Sequence, residues 1–123
     1  MHIMKIRKRY LRSYRLRFAL SQAELAYLIG CKGRNRVSDL ERGVREPTLA
    51  EMLSLYILFG TEVVELFPAF FAEIEGAILS RGNDLYERLQ GIPLQATPAK
   101  LDCLEAMFKR VEERKNRQKR IIC

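Results

Sequence analysis

Four side chains in one short stretch, Arg34, Asn35, Ser38 and Asp39, are of the types that hydrogen-bond the edges of nucleobases. An arginine guanidinium takes the two guanine acceptors as a bidentate pair, and asparagine fits the donor and acceptor of adenine. Aspartate accepts from a cytosine amino group, and serine bonds with either kind of partner. Around them stand Gln22, Lys32, Arg36, Arg42 and Arg45, whose N–H donors suit phosphate oxygens. The same residues would also make an ordinary solvated helix face. The elements that carry them decide between the two readings.

Those elements can be read from Ser21 to Gly43. Ser21 with Glu24 three residues later is a capping box, which opens a short helix through Leu25, Ala26, Tyr27, Leu28 and Ile29. Gly30 ends that helix, because glycine takes the left-handed C-cap conformation without a Cβ penalty. A second helical pattern follows from Arg34 to Glu41, with Val37 and Leu40 turned inward and Arg34, Asn35, Arg36, Ser38 and Asp39 outside. Two short helices joined by a glycine turn, the second rich in exposed hydrogen-bonding groups, form a helix-turn-helix pattern.

The run Gln22-Ala23-Glu24-Leu25-Ala26, then Gly30, Val37-Ser38, Leu40-Glu41-Arg42-Gly43 and Pro47, resembles the Cro and phage-repressor type, also called the xenobiotic response element (XRE) family. The resemblance covers Lys8 to Phe67. It departs at Cys31-Lys32-Gly33, where the spacing from Gly30 to Val37 is one residue longer than usual, so positions are matched backwards from Val37 and Glu41. What it implies is a five-helix domain that binds double-stranded DNA with the helix from Arg34 in the major groove. It places base contacts at Arg34, Asn35 and Asp39, with Ser38 within reach of a further base. It places a phosphate contact at Gln22. It also pairs Arg15, on the first helix, with Glu41 in a structural salt bridge.

Composition bounds the rest. The chain of 123 residues has room for one compact domain and an appendage. It has no apolar run of the length a transmembrane helix needs, and the basic N-terminus lacks the apolar core of a secretory signal, so a cytoplasmic protein is expected. Cys31, Cys103 and Cys123 are odd in number without metal-type spacing, and His2 is the only imidazole. No metal site, cofactor or catalytic set of serine, histidine and acid is implied. The formal charge of +7 is uneven: residues 1–20 carry seven Lys/Arg and no acid, whereas residues 61–90 carry six acids against two bases. Such a basic front suits a polyanionic partner. Arg12 and Arg17 can equally be plain solvated residues.

Along the chain, residues 1–6 form a basic arm, with Met1 to Arg9 as a segment that could follow a DNA backbone. A first helix is expected from Arg7 to Phe18, with Leu11, Tyr14 and Phe18 on one face. Thr48 and Glu51 form a second capping box, opening a helix to Phe59 whose buried stripe is expected at Leu49, Met52, Leu53, Tyr56 and Ile57. Thr61 is positioned to cap a short fifth helix, Glu62 to Phe67, before Pro68. The expected fold is thus all-α: a five-helix Cro/repressor-like domain over residues 1–68, followed by two or three helices over residues 69–123. Gly82-Asn83-Asp84 marks a break within the first of these, and Pro98 opens a last helix running to Lys119, with its basic end from Arg114 frayed. Leu101, Leu104, Phe108 and Val111 make a heptad-like seam.

The leading expectation is a sequence-specific DNA-binding transcriptional regulator, a repressor, that binds a partly palindromic operator as a homodimer. The rear helices would supply the dimer contact, bind a protein partner or close an internal core. The alternative is an antitoxin-like or adaptor module whose rear helices mask a protein partner.

Overall fold

A computed structural model describes residues 10–122, with side chains through residue 119. The expected N-terminal arm therefore lies outside the described residues. Among the described residues seven helices follow one another: α1 (Tyr10–Arg17), α2 (Gln22–Ile29), α3 (Arg34–Arg42), α4 (Leu49–Phe59), α5 (Val63–Leu66), α6 (Pro68–Leu89) and α7 (Thr97–Ile122). The protein is all-helical, with no strand among the described residues.

Local chemistry sets most helix ends. Ser21 Oγ accepts from the Glu24 backbone N–H at 3.0 Å while Glu24 accepts from the Ser21 N–H at 2.8 Å, so two otherwise orphaned donors are satisfied reciprocally. Thr48 and Glu51 do the same for α4, at 3.1 and 2.8 Å. Gly30 and Gly43 close α2 and α3 in the left-handed region, at φ 75° and 74°. The turn after α1 uses Ala19 instead, at φ 56°, a conformation that costs a residue with a Cβ. At α5 the expectation needs correcting. Glu62, not Thr61, precedes the helix, and the buried Thr61 hydroxyl donates back to the Phe59 carbonyl at 3.4 Å.

The first five helices share one core. Leu11 comes from α1, Leu25, Ala26 and Ile29 from α2, Val37 and Leu40 from α3, Leu55 from α4 and Leu66 from α5, with Phe67 beside it. Cys31 fills a half-buried slot against this core, and Tyr14 and Phe59 pack on it with ring centroids 5.7 Å apart. Phe18 is 59 % exposed even though its ring stacks on Phe59.

The stripe expected on α4 is also corrected. Leu55 and Glu51 are its buried residues, whereas Leu49, Leu53, Tyr56 and Ile57 all face outward. The helix is apolar nearly all the way round, so its periodicity does not choose a face.

The chain divides into two compact units, the first ending at Ile74 and the second beginning at Glu75. The first runs past the boundary expected at residue 68 because Phe70, in the opening turn of α6, packs against the front core. The second pairs the rest of α6 with α7, antiparallel: Tyr86 donates to Glu105 at 2.6 Å, and Arg114 is ion-paired with Glu75. The break expected at Gly82-Asn83-Asp84 does not occur, and α6 is continuous. Gly82 is there for approach: a Cβ would lie 2.7 Å from the end of Met107, with Phe108 and Leu104 next nearest. The end of α7 is likewise helical to Ile122 rather than frayed from Arg114, whose pairing with Glu75 ties it to α6. No helix among the described residues is long and apolar enough to cross a membrane.

Candidate nucleic-acid interface

The helix α3 has two unlike faces. Val37, Leu40 and Glu41 are buried, at 0, 2 and 4 % exposure. Arg34 and Asn35 in its first turn are exposed, Ser38 and Asp39 one turn on are half-buried, and Arg42 at its end is exposed. Positions 34, 35, 38, 39 and 42 therefore fall on the side away from the core, as a period of 3.6 requires. Lys32 before the helix and Arg45 after it are both exposed. The residue before the helix is Gly33, which has no side chain to cap it.

An ion pair beneath this face holds α3 against α1. Arg15 Nε donates to Glu41 Oε2 at 2.5 Å and Nη2 to Oε1 at 3.3 Å, while Nη1 donates to the Leu20 carbonyl at 2.9 Å. Both side chains are nearly sealed, at 8 and 3 % exposure. Gln22 Nε2 donates to Glu41 Oε1 at 3.1 Å, which draws the Gln22 amide toward this pair from the start of α2. One hydrogen on that nitrogen still remains for another acceptor.

Arg36 is placed differently from the other cations. Its Nε and Nη2 donate to the two Glu51 oxygens at 2.9 and 2.7 Å, and Nη2 also donates to the Glu46 carbonyl at 2.9 Å. The guanidinium beside it holds the Glu51 carboxyl below the usual glutamate range despite burial, and the Arg36 pKa is raised in turn. Arg36, expected at a phosphate, thus forms an internal clamp between α3 and α4 with which a phosphate would have to compete. A trace of this clamp was present in the sequence, since the Thr48–Glu51 capping box leaves carboxylate capacity for a cation. Asp39 accepts from Arg42 at 2.7 Å, an exposed pair at i, i+3, so two of the expected contact residues are engaged with each other. A pair this exposed is worth little and exchanges readily for other partners.

Residues 11–66 match the helix-turn-helix family model. This part of the chain is a helix-turn-helix domain of the Cro and phage-repressor type. The match begins at the buried Leu11 and ends at the buried Leu66, so it spans the shared core of α1 to α5. No curated protein and no solved structure shows a significant match to the chain. Helix-turn-helix domains of this family bind DNA, and residues 11–66 are accordingly a DNA-binding domain. Within the helix-turn-helix domain, α2 and α3 are the two helices of the motif, joined through Gly30 to Gly33. The second of them, α3, starts at Arg34 and ends at Arg42.

Proposed function

We propose that the protein is a sequence-specific regulator of transcription, a repressor, that inserts α3 into the major groove of double-stranded DNA in the cytoplasm. Arg34 would bond the two guanine acceptors, Asn35 an adenine, and Ser38 and Asp39 a further base, with Asp39 released from Arg42. Lys32, Arg42 and Arg45 would contact phosphates, with the remaining amide hydrogen of Gln22 beside the start of α2. Arg36 is left out of that set because Glu51 and Glu46 hold it. The operator would be partly palindromic and bound by a homodimer, with half-sites about 34 Å apart or a multiple of that.

The observation that carries this reading is the division of α3 within a DNA-binding domain: Val37, Leu40 and Glu41 buried, and Arg34, Asn35, Ser38 and Asp39 on the other side. The alternative, an adaptor whose rear seam masks a protein partner, has less support. That seam packs within the second unit, where Leu104 and Phe108 lie against Gly82 and Tyr86.

Selection from a random duplex pool tests the proposal. The wild type should enrich a partly palindromic motif, and Arg34→Ala/Asn35→Ala should lose it. Salt-sensitive binding without any motif, or a motif that the double variant keeps, would overturn readout through α3.

A further inference from the structure

Among the described residues of the first unit, α4 carries more exposed large apolar side chains than any other helix. Leu49, Leu53, Tyr56 and Ile57 are 68, 54, 53 and 80 % exposed, and their spacing puts them on one side of the helix. The helix carries one carboxylate and no Lys or Arg, and that carboxylate, Glu51, is turned inward and bound by Arg36. A chain with a formal charge of +7 thus presents one helix face free of charged side chains.

We propose that this face is the contact between two copies of the chain, with the two α4 helices antiparallel across a twofold axis at Leu53. This rests on the homodimer in the function proposed above and gives it a location. Electrostatics selects the occupant. A twofold axis sets each residue near it against its own copy or a close neighbour, so like charges there repel. Antiparallel pairing at Leu53 would instead set Leu49 on the partner's Ile57, Leu53 on the partner's Leu53, and Tyr56 on the partner's Ala50. The other exposed apolar row, Ile74, Ile78 and Leu85 on α6, has Arg81 and Arg88 at the heptad positions between and after these residues. Self-pairing there would bury arginines.

The area agrees. The four α4 side chains leave roughly 500 Å² uncovered per copy, and about 1,000 Å² for a pair is the lower end of what a specific interface needs. Such a dimer should be weak alone, with a dissociation constant on the order of micromolar, and tightened when both copies sit on one operator.

Sedimentation equilibrium of the full chain without DNA tests this. The wild type should pass from 14.4 kDa toward twice that mass over micromolar to millimolar protein. Leu53→Glu, which places a like-charge pair on the axis, should weaken association by at least about 100-fold and keep the monomer mass. Its melting curve should match the wild type at concentrations where both are monomeric, because Leu53 is exposed. Ile78→Glu on α6 should dimerise as the wild type does. A Leu53→Glu variant that still dimerises would overturn the α4 contact, and if Ile78→Glu alone were monomeric the twofold would lie on α6. In either case the homodimer would stand. A wild type that stays at 14.4 kDa throughout and selects a motif without a palindrome would remove the homodimer as well.

Discussion

Replacing Glu41 by alanine should nearly unfold the helix-turn-helix domain, and the structure indicates by how much. The substitution removes both carboxylate oxygens that receive Arg15, leaving a guanidinium whose side chain is 8 % exposed with only the Leu20 carbonyl at 2.9 Å. Gln22 loses its acceptor at the same time. Breaking a buried pair on one side costs about 3–5 kcal/mol, because a charge stays buried without its partner. A domain of this size has only about 3–9 kcal/mol to lose. At about 4–8 °C per kcal/mol, the expected fall in Tm is roughly 12–40 °C.

Thermal melting followed by circular dichroism gives the shift. Hydrogen exchange of peptides from residues 11–66 assigns it to the front unit rather than to the rear helices. The companion variant Arg15→Met/Glu41→Leu separates charge from packing, since an apolar pair of similar volume removes the orphaned ion. It should melt well above Glu41→Ala. A Glu41→Ala curve within about 2 °C of the wild type would refute the reasoning. So would a double variant that falls as far as the single one, because the loss would then come from volume and not from an unpaired guanidinium.

Two further outcomes follow from local chemistry. The depressed Glu51 carboxyl, held chiefly by its bond to Arg36, contributes stability that is fully present above the unfolded glutamate value of about 4.3. That contribution is lost as the pH falls through the lower folded value, so a denaturant titration series should show a declining midpoint below about pH 4.3 that Glu51→Gln flattens. Ala19→Gly should raise stability by about 1 kcal/mol, because φ at Ala19 is 56° and glycine reaches that region without a Cβ penalty. An unchanged or lower denaturation midpoint would count against strain at that turn.

Much of the front unit was legible because its signals are local. The Ser21–Glu24 and Thr48–Glu51 boxes and the terminating Gly30 place three helix ends without any tertiary information. The inward placement of Val37 and Leu40 follows from the helical repeat against polar neighbours, and it gives the outward side of α3 by difference. The Glu51 partner of Arg36 was not legible, because an arginine on a helix flank reads the same whether it faces solvent or a carboxylate brought up from fifteen residues later. Gly82-Asn83-Asp84 read as a break for a similar reason. Glycine weakens an isolated helix interior, and only the nearness of Met107 shows why a residue without a Cβ stands there.

The sequence alone thus determined the order of the helices, most of their ends, and the residues offered by α3. These depend on bonds between groups within four residues of each other and on a periodicity that polar neighbours make unambiguous. Tertiary structure decided which face of α4 is buried and what holds Arg36. With Leu49, Met52, Leu53, Leu55, Tyr56, Ile57 and Leu58 spread around one helix, hydrophobicity alone favours no single side. The choice was made by the pocket that receives Leu55 and by the guanidinium that draws Glu51 inward, and both come from other helices.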